Sequence, residues 1–445
     1  MIRLARLARL ARALLAALAA GACTPCPSTS TSSSPAPLPE HGLTAEGVAR
    51  LEALLEEAVA EQRVAGAVAL VLKDGAIVWR AAVGDADREA GRPMRHDTLF
   101  RIASMTKPIT SVAVMMLWEE GRFALDDPIA SVLPEFDPDR VLVPLQGDAD
   151  APYALVPAER PITIRDLLTH TSGLTYGFNQ RPFVSRLYAD AGVSDGLVQT
   201  EGTQAENVRR LGALPLYQQP GANWEYSLGT DVLGVLVERL SGQGLDVFLR
   251  ERLFEPLGMH DTWFYPPPEE PGVVGRLAAV YQPDPETRLE RMPDGPSGHG
   301  TLAIAPDWHV HGPRIFVAGG AGLVSTADDH ARFMRMILAG GTTPDGARLL
   351  EAETIAFMGT NQVGTLTVGP QGDGFGLGFA IHAGSEVSGR PGPAGELSWG
   401  GIFYTSFWLD PSRDLGFVLL AQLFPNAHLG LREEFRTRVY EALDE

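Results

Sequence analysis

Ser104-Met105-Thr106-Lys107 is the stretch on which the reading of this chain turns. The chain carries 36 lysines and arginines, and only two of them, Lys73 and Lys107, are lysines. Lys73 sits in Lys73-Asp74-Gly75, which reads as an exposed turn. Lys107 follows a serine at the spacing i, i+3. Arginine keeps its charge at any working pH, whereas a buried lysine can give up its proton. On a helix, this spacing puts amine and hydroxyl one turn apart on one face. A serine hydroxyl is a poor nucleophile until a base is held beside it, so this pairing is the arrangement that activates one. The same tetrapeptide can also arise by chance. An arginine- and alanine-rich base composition lowers the lysine count by itself, so the motif needs corroboration.

Working outward, 445 residues exceed one typical domain and allow two, with ample core. The formal net charge of -19 argues against nucleic acid and anionic membrane surfaces as partners. The N-terminus departs from that balance. Arg3, Arg6, Arg9 and Arg12 precede the apolar run Ala13 to Ala20, and Ala20-Gly21-Ala22 is a small-residue cleavage site. Residues 1–22 therefore read as an export signal, pointing to a periplasmic or extracellular location. Cys23 follows at once and is a lipidation candidate, as in bacterial lipoproteins, although Ala20 stands where such signals usually carry leucine. Membrane attachment would then run only through Cys23, and plain secretion is the alternative. Residues 23–41, rich in Ser, Thr and Pro, read as a disordered tether. Cys23 and Cys26 both lie at this end, so the body has no thiol for a disulfide or a metal site.

Thr44 to Gln62 has helical periodicity, and Ala65 to Leu72 and Ala76 to Val83 read as hairpin strands. A helix continues from the serine motif through Val112 to Glu120 and stops at Gly121. The proline-dotted middle holds helices such as Thr163 to Thr169 and Leu228 to Leu240. Beyond Gly319 come a capped helix, Ser325 to Leu338, strands Leu397 to Trp408 and Leu415 to Gln422, and a last helix, Leu431 to Leu443. This order predicts an α/β fold of the α+β sandwich kind: an antiparallel sheet flanked by helices and built from both chain ends. Residues 42–130 and 311–445 would form that domain, and 131–310 an inserted, mainly helical and loop-rich one.

A serine and a lysine call for a third group, and tyrosine suits, because a nearby ammonium favours the phenolate. Tyr226 has the best context, in an extended segment just ahead of the Leu228 helix, although a tyrosine there could equally pack on the core. Taken together, Ser104-Met105-Thr106-Lys107, Tyr226-Ser227-Leu228 and Trp399-Gly400-Gly401 resemble the three motifs of the serine β-lactamase superfamily. The match is nearest to its class C-like carboxylesterases, the family VIII esterases. Leu168 to Leu174, Gly319 to Ser325 and Gly376-Leu377-Gly378 extend the resemblance over about residue 44 to the C-terminus. It implies that Ser104 is acylated, that Lys107 and Tyr226 share its proton, and that the backbone N–H groups of Ser104 and Ile402 form an oxyanion hole. Gly400 and Gly401 would let substrate lie against strand backbone, with Trp399 beside it.

The departures from the superfamily pattern are informative. Its third motif is often Lys-Thr-Gly, whose lysine attracts a carboxylate. Here the position is Trp399, and no lysine follows Lys107. Carboxylate recognition would need an arginine or histidine from elsewhere. Leu228 stands where lactamases often carry Asn. Both changes favour a neutral small-molecule ester. Trp399 has a structural alternative as a core indole on an inner strand. The competing readings are a β-lactamase or D-amino-acid peptidase, an acyltransferase, and a non-catalytic wall-binding protein. Gly192-Val193-Ser194-Asp195-Gly196 matches a nucleophile elbow, but no apolar strand precedes it and no helix follows. His309-Val310-His311 would point its imidazoles apart, and there is no phosphate loop or dinucleotide fingerprint. No cofactor and no metal are expected. His170 is expected to have a structural hydrogen-bonding role, and His299 and His309 are candidates to line the cleft.

Overall fold

Strand β1, Gly66–Lys73, alternates its side chains between two apolar layers, and its burial is nearly continuous. Ala67, Ala69 and Val71 pack with one cluster, and Val68, Leu70 and Leu72 with another. A strand covered on both faces must lie inside its sheet, with helices on either side. The computed structural model describes residues 42–137, 142–144, 155–179, 181–198, 201–270, 272–299, 302–369, 372–426 and 429–443. The expected export signal and tether, residues 1–41, and with them Cys23, lie outside the described residues.

The sheet has eight antiparallel strands. In chain order they are β1, β2 (Ala76–Asp87), β3 (Arg92–Pro93), β4 (Gly374–Phe375), β5 (Ala380–Ile381), β6 (Leu397–Gly401), β7 (Thr405–Asp410) and β8 (Leu415–Leu420). Their spatial order is β4-β5-β6-β7-β8-β1-β2-β3. β8 pairs with β1, Val68 opposite Leu420, and so joins the two ends of the chain. Helix α1, Ala45–Ala60, lays Leu51, Leu54 and Leu55 on one face of the sheet beside Phe435 and Val439 of the C-terminal helix. The other face carries helix α2, Thr106–Glu119, with Ile109, Val112 and Met116, and a helix over Ala327–Leu338.

Helix α2 is buried almost all round, which marks a central helix rather than a surface one. Pro108 falls in its first turn, where the missing N–H has no intrahelical acceptor to lose. Helix α3, Gly229–Ser241, packs against it, and the segment 319–325 runs alongside. Ile102 N–H donates to Leu323 O at 3.1 Å, and Thr110 Oγ1 to Gly319 O at 2.7 Å. Helix α4 is Ala327–Leu338, capped by Thr326, whose Oγ1 accepts from Asp329 N–H. Helix α5 is Leu431–Ala442. Among the described residues no helix is long and apolar enough to cross a membrane.

The expected antiparallel sheet flanked by helices is present, and one element divides. Leu397 to Trp408, expected as one strand, is β6 and β7 joined by a turn over residues 402–404. Tyr404 takes φ 71° in that turn. Ile402, Phe403 and Tyr404 look like strand residues, and their turn is held by burial. Phe403 is fully buried, and Tyr404 packs with the α1/α5 layer. The middle of the chain also contains small antiparallel pairs besides its helices, Tyr281–Asp284 with Arg288–Arg291 and Ser297–His299 with Leu302–Ile304.

The β6–β7 turn lies hard against the serine segment. A Cβ on Gly401 would collide with the Ile102 carbonyl oxygen and with Thr405 Oγ1. Gly401→Ala should therefore cost about 1–3 kcal/mol, the usual range for overpacking. Gly275→Ala, with open space around its Cα, serves as the control. Denaturant midpoints that move equally in the two variants would contradict this packing.

Candidate active site

Ser104 sits in a 3₁₀ turn, Ala103–Met105, that runs directly into α2. The residue before it, Ala103, is held at φ 43°, in the left-handed region that alanine avoids. The turn aims the Ser104 hydroxyl into a cavity of about 480 Å³. Tyr226 OH is hydrogen-bonded to Ser104 Oγ at 2.6 Å. Lys107 Nζ lies 3.3 Å from the same oxygen. The three residues singled out from the sequence thus meet at one atom.

Lys107 is 1% exposed, and each of its ammonium donors has a partner. Besides Ser104 Oγ, Nζ donates to Gly320 O at 2.7 Å and to Tyr176 OH at 2.8 Å. It also lies 4.7 Å from the Tyr226 ring centroid and 5.1 Å from that of Tyr176. Gly320 can approach because it has no side chain. A Cβ there would strike the Asp231 carboxylate.

Tyr176 was not read from the sequence, and neither was Asp231 behind it. Burial holds the Tyr176 phenol well above its ordinary range, with the Asp231 carboxylate adding to the effect. Tyr176 OH faces Asp231 Oδ2 at 3.5 Å. Asp231 Oδ1 accepts from Gly320 N–H and from Gln204 Nε2, each at 3.1 Å. Burial pushes the Asp231 carboxyl up to about 6, against the pull of Lys107. Asp231 lies in the first turn of α3, five residues beyond Tyr226, a position that in sequence reads as an ordinary first-turn acid.

His170, at φ 59°, is a hub of packed rings. Its Nδ1 is 3.1 Å from Ser227 Oγ. Its ring lies 5.1 Å from Tyr226, 5.4 Å from Phe375 and 6.5 Å from Trp399. Burial first, and then Lys107, keep this imidazole well below its usual range, so it stays neutral. A second brace comes from Glu225, buried next to Tyr226. It accepts from Thr175 Oγ1 at 2.7 Å and from Arg181 Nη2 at 2.8 Å. Asn179 Nδ2 donates to Tyr226 O at 2.7 Å. The Tyr226 loop is thereby tied to the loop that carries Tyr176.

Trp399, Gly400, Gly401 and Ile402 line the cavity with Ser104 and Tyr226. Trp399 is a wall of the site, packed 5.6 Å from the Tyr226 ring. Leu228 is fully buried in the core. Ser194 does not line the cavity; its Oγ accepts from Gly196 N–H at 3.1 Å in a local turn. Its neighbour Asp195 does line it, with Oδ1 accepting from Gly177 N–H at 2.9 Å. His309 is buried with Nε2 3.2 Å from Gly322 O, away from the cavity lining. The side chain of His299 lies outside the described residues. Among the described residues no group of His, Cys, Asp and Glu could hold a metal ion. Chemically, the arrangement offers a hydroxyl in contact with a phenol and an amine, facing the β6 strand across a mostly apolar cavity.

A family model described as Beta-lactamase matches residues 51–440. The chain is 40% identical over 385 residues to Esterase EstB of Burkholderia gladioli, covering 84% of this chain and 89% of that protein. It is 30% identical over 379 residues to Acyltransferase calJ of Penicillium decumbens, covering 79% and 82%. Among solved structures it is similar to EstCE1, a hydrolase with promiscuous acyltransferase activity. That likeness has a TM-score of 0.76 and 31% identity, over 89% of this chain and 99% of that one. The chain belongs to the beta-lactamase family and is an enzyme of the serine-hydrolase type.

Asp195 gives the site a measurable pH signature. Burial is the first cause that pushes its carboxyl up to about 7 from 3.8, with Asp231 adding to it. A carboxyl raised in the folded state contributes its stability while protonated, fully below about pH 4. That contribution fades as the pH rises through about 7. Asp195→Asn removes the titration, so its stability relative to wild type should improve between pH 4 and pH 8. A constant difference in denaturant midpoint across that range would count against the buried carboxyl.

Proposed function

We propose that this member of the beta-lactamase family cleaves small acyl esters through an acyl-enzyme at Ser104. The observation that carries the reading is that Tyr226 OH, at 2.6 Å, and Lys107 Nζ, at 3.3 Å, both meet Ser104 Oγ, which faces the cavity. In the first half, Ser104 Oγ attacks the ester carbonyl and its proton passes to the Tyr226–Lys107 pair. The carbonyl oxygen takes up negative charge, which the backbone N–H groups of Ser104 and Ile402 stabilise. The C–O bond then breaks, and Tyr226 returns the proton to the departing alkoxide. In the second half, water gives its proton to the same pair and attacks the acyl carbon. The carboxylic acid leaves, and Ser104 recovers its proton.

In this reading the α/β domain, 42–130 with 311–445, supplies Ser104, Lys107 and the β6 edge, and the inserted 131–310 supplies Tyr226. The chain's likeness to Esterase EstB and to the hydrolase EstCE1 supports an ester as substrate. Trp399, in place of a lysine, supports an ester over a lactam. Acyl transfer to an alcohol is the second reading. It is favoured by the likeness to calJ and EstCE1 and by a mostly apolar cavity with room for an acceptor. The export signal and the lipidation of Cys23 remain part of the proposal.

The test is a panel of para-nitrophenyl esters and a chromogenic cephalosporin. The wild type should turn over the esters faster. Ser104→Ala should lose about 10³-fold or more of kcat, as removal of a nucleophile does. Lys107→Arg should fall nearly as far, because a permanent cation cannot exchange the proton. Near wild-type turnover in Lys107→Arg would overturn the assigned role, and faster cephalosporin hydrolysis would overturn the choice of substrate. Addition of an alcohol acceptor, with transfer outrunning hydrolysis, would establish the second reading instead.

A further inference from the structure

Lys107 and Asp231 are opposite charges in one buried cluster, each 1% exposed, and they do not touch. Among the described residues no carboxylate lies within ion-pair distance of the amine, and no cation within that distance of the carboxylate. Two bridges join them. Tyr176 OH accepts from Lys107 Nζ at 2.8 Å and faces Asp231 Oδ2 at 3.5 Å. Gly320 O accepts from Nζ at 2.7 Å, while the N–H of the same residue donates to Asp231 Oδ1 at 3.1 Å. Gln204 Nε2 donates to that oxygen too, at 3.1 Å.

A carboxylate in this place needs a reason. A first-turn acid complements the dipole of α3, but an exposed acid does so without the cost of burial. An amide would fill the same space, and its oxygen would accept from Gly320 N–H with no charge to bury. What an amide cannot supply is the charge. Burial pushes the Asp231 carboxyl up to about 6, and Lys107 is the foremost influence holding it down. Attraction between charges is mutual, so the carboxylate in turn stabilises the positive charge that a proton from Ser104 brings to the Tyr226–Lys107 pair. The other groups around the amine are differently placed. Asp195 is tied to Gly177 N–H, His170 is neutral, and Arg432 is bound to Gly401 O. None of these three side chains bonds to Tyr176 OH or to Gly320.

We propose that Asp231 is a positioning residue that acts on Lys107 across Tyr176 and Gly320. Its charge strengthens the Tyr226–Lys107 pair as the base for Ser104, and its hold on Gly320 N–H keeps the carbonyl of that residue on the amine. The proposal rests on Ser104 passing its proton to that pair, and it holds whether the acyl group comes from an ester or a lactam. The proton moves from Ser104 Oγ to the pair as Oγ bonds to the acyl carbon, and Asp231 neither gives nor takes it.

The test is the pH dependence of kcat/KM for para-nitrophenyl butyrate in the wild type and in Asp231→Asn. Activity is lost on the acid side where the pair already holds the proton it should accept. Without the carboxylate the pair holds that proton less firmly. The acid limb of Asp231→Asn should therefore lie about one pH unit lower, and kcat at pH 8 should fall up to about tenfold, because a weaker base takes the Ser104 proton. Asp231 carries its charge at that pH. A fall in kcat with the limb unmoved would make Asp231 a scaffold for Gly320 and end the proposal. Tyr176→Phe removes the hydroxyl bridge and leaves the carboxylate, so its limb should move the same way. The double variant should shift the limb by less than the sum of the two, as residues of one network do. Additive shifts would contradict the bridge. Asp195→Asn controls for the field of any nearby carboxyl, and an equal shift there would also sink the assignment. Should Asp231→Asn not fold, an unmoved limb in Tyr176→Phe decides against it alone. If the wild type prefers a chromogenic cephalosporin, the limb is read on that substrate, and only the choice of ester fails. A wild type that turns over neither removes the reading of Ser104, and this one with it.

Discussion

The site depends on one buried amine. Lys107 is enclosed with its donors committed to Ser104, Tyr176 and the Gly320 carbonyl. Each partner comes from a different part of the chain, and none can be displaced without leaving a donor unsatisfied in a dry interior. That condition fixes where α2 begins, how closely the 319–325 segment approaches, and how the Tyr176 loop folds over. It also explains the glycine at 320, since a side chain there would strike Asp231 and push the carbonyl off the amine.

A second layer of constraints holds the groups that must not move. His170 stays neutral because it is buried beside Lys107, and its ring fills the space between Tyr226, Phe375 and Trp399. Glu225 is buried but answered by Arg181, Thr175 and Asn179, so its charge serves as a tie between two loops. Asp231 answers the lysine only through the Tyr176 hydroxyl and the Gly320 amide. The carboxylate is therefore tied to the amine's surroundings without a direct ion pair to it. Arg432 stands apart from this economy of paired charges. It is held by carbonyl oxygens and a ring at the lining of the cavity.

The sheet, its flanking helices and the Ser104–Lys107 pair were legible because local patterns encode them, whereas Tyr226 was read from its place ahead of a helix and from the resemblance to a known family. Short continuous apolar runs mark β1 and β8, capping residues mark α4, and an i, i+3 pair on a helix start places the lysine. Trp399 and the glycines after it were legible through the joint order of three motifs. The turn at 402–404 was not, because its residues have strand preferences and only burial of Phe403 and Tyr404 bends them. Tyr176, Asp195 and Asp231 were not either. An aspartate in the first turn of a helix looks like dipole complementation, and one in a Gly-rich loop looks like a turn residue. Ser194 drew notice for a motif it does not serve, while its neighbour Asp195 faces the cavity.

The sequence by itself determined the fold class, the junction of the two chain ends in one sheet, and the pairing of a rare lysine with a serine and a tyrosine. The fold class and the sheet follow from periodicity and capping, and the lysine and serine from their spacing, all of which act within a few residues. Tyr226 was picked out by its place ahead of a helix together with the resemblance of three motifs to a known family. Only the tertiary structure decided what surrounds the amine and what charge faces the cavity. Asp231 lies far from Lys107 in the chain, and in sequence it is one more first-turn acid. Its meaning comes from burial against Tyr176 and Gly320, and burial is a property of the packed chain.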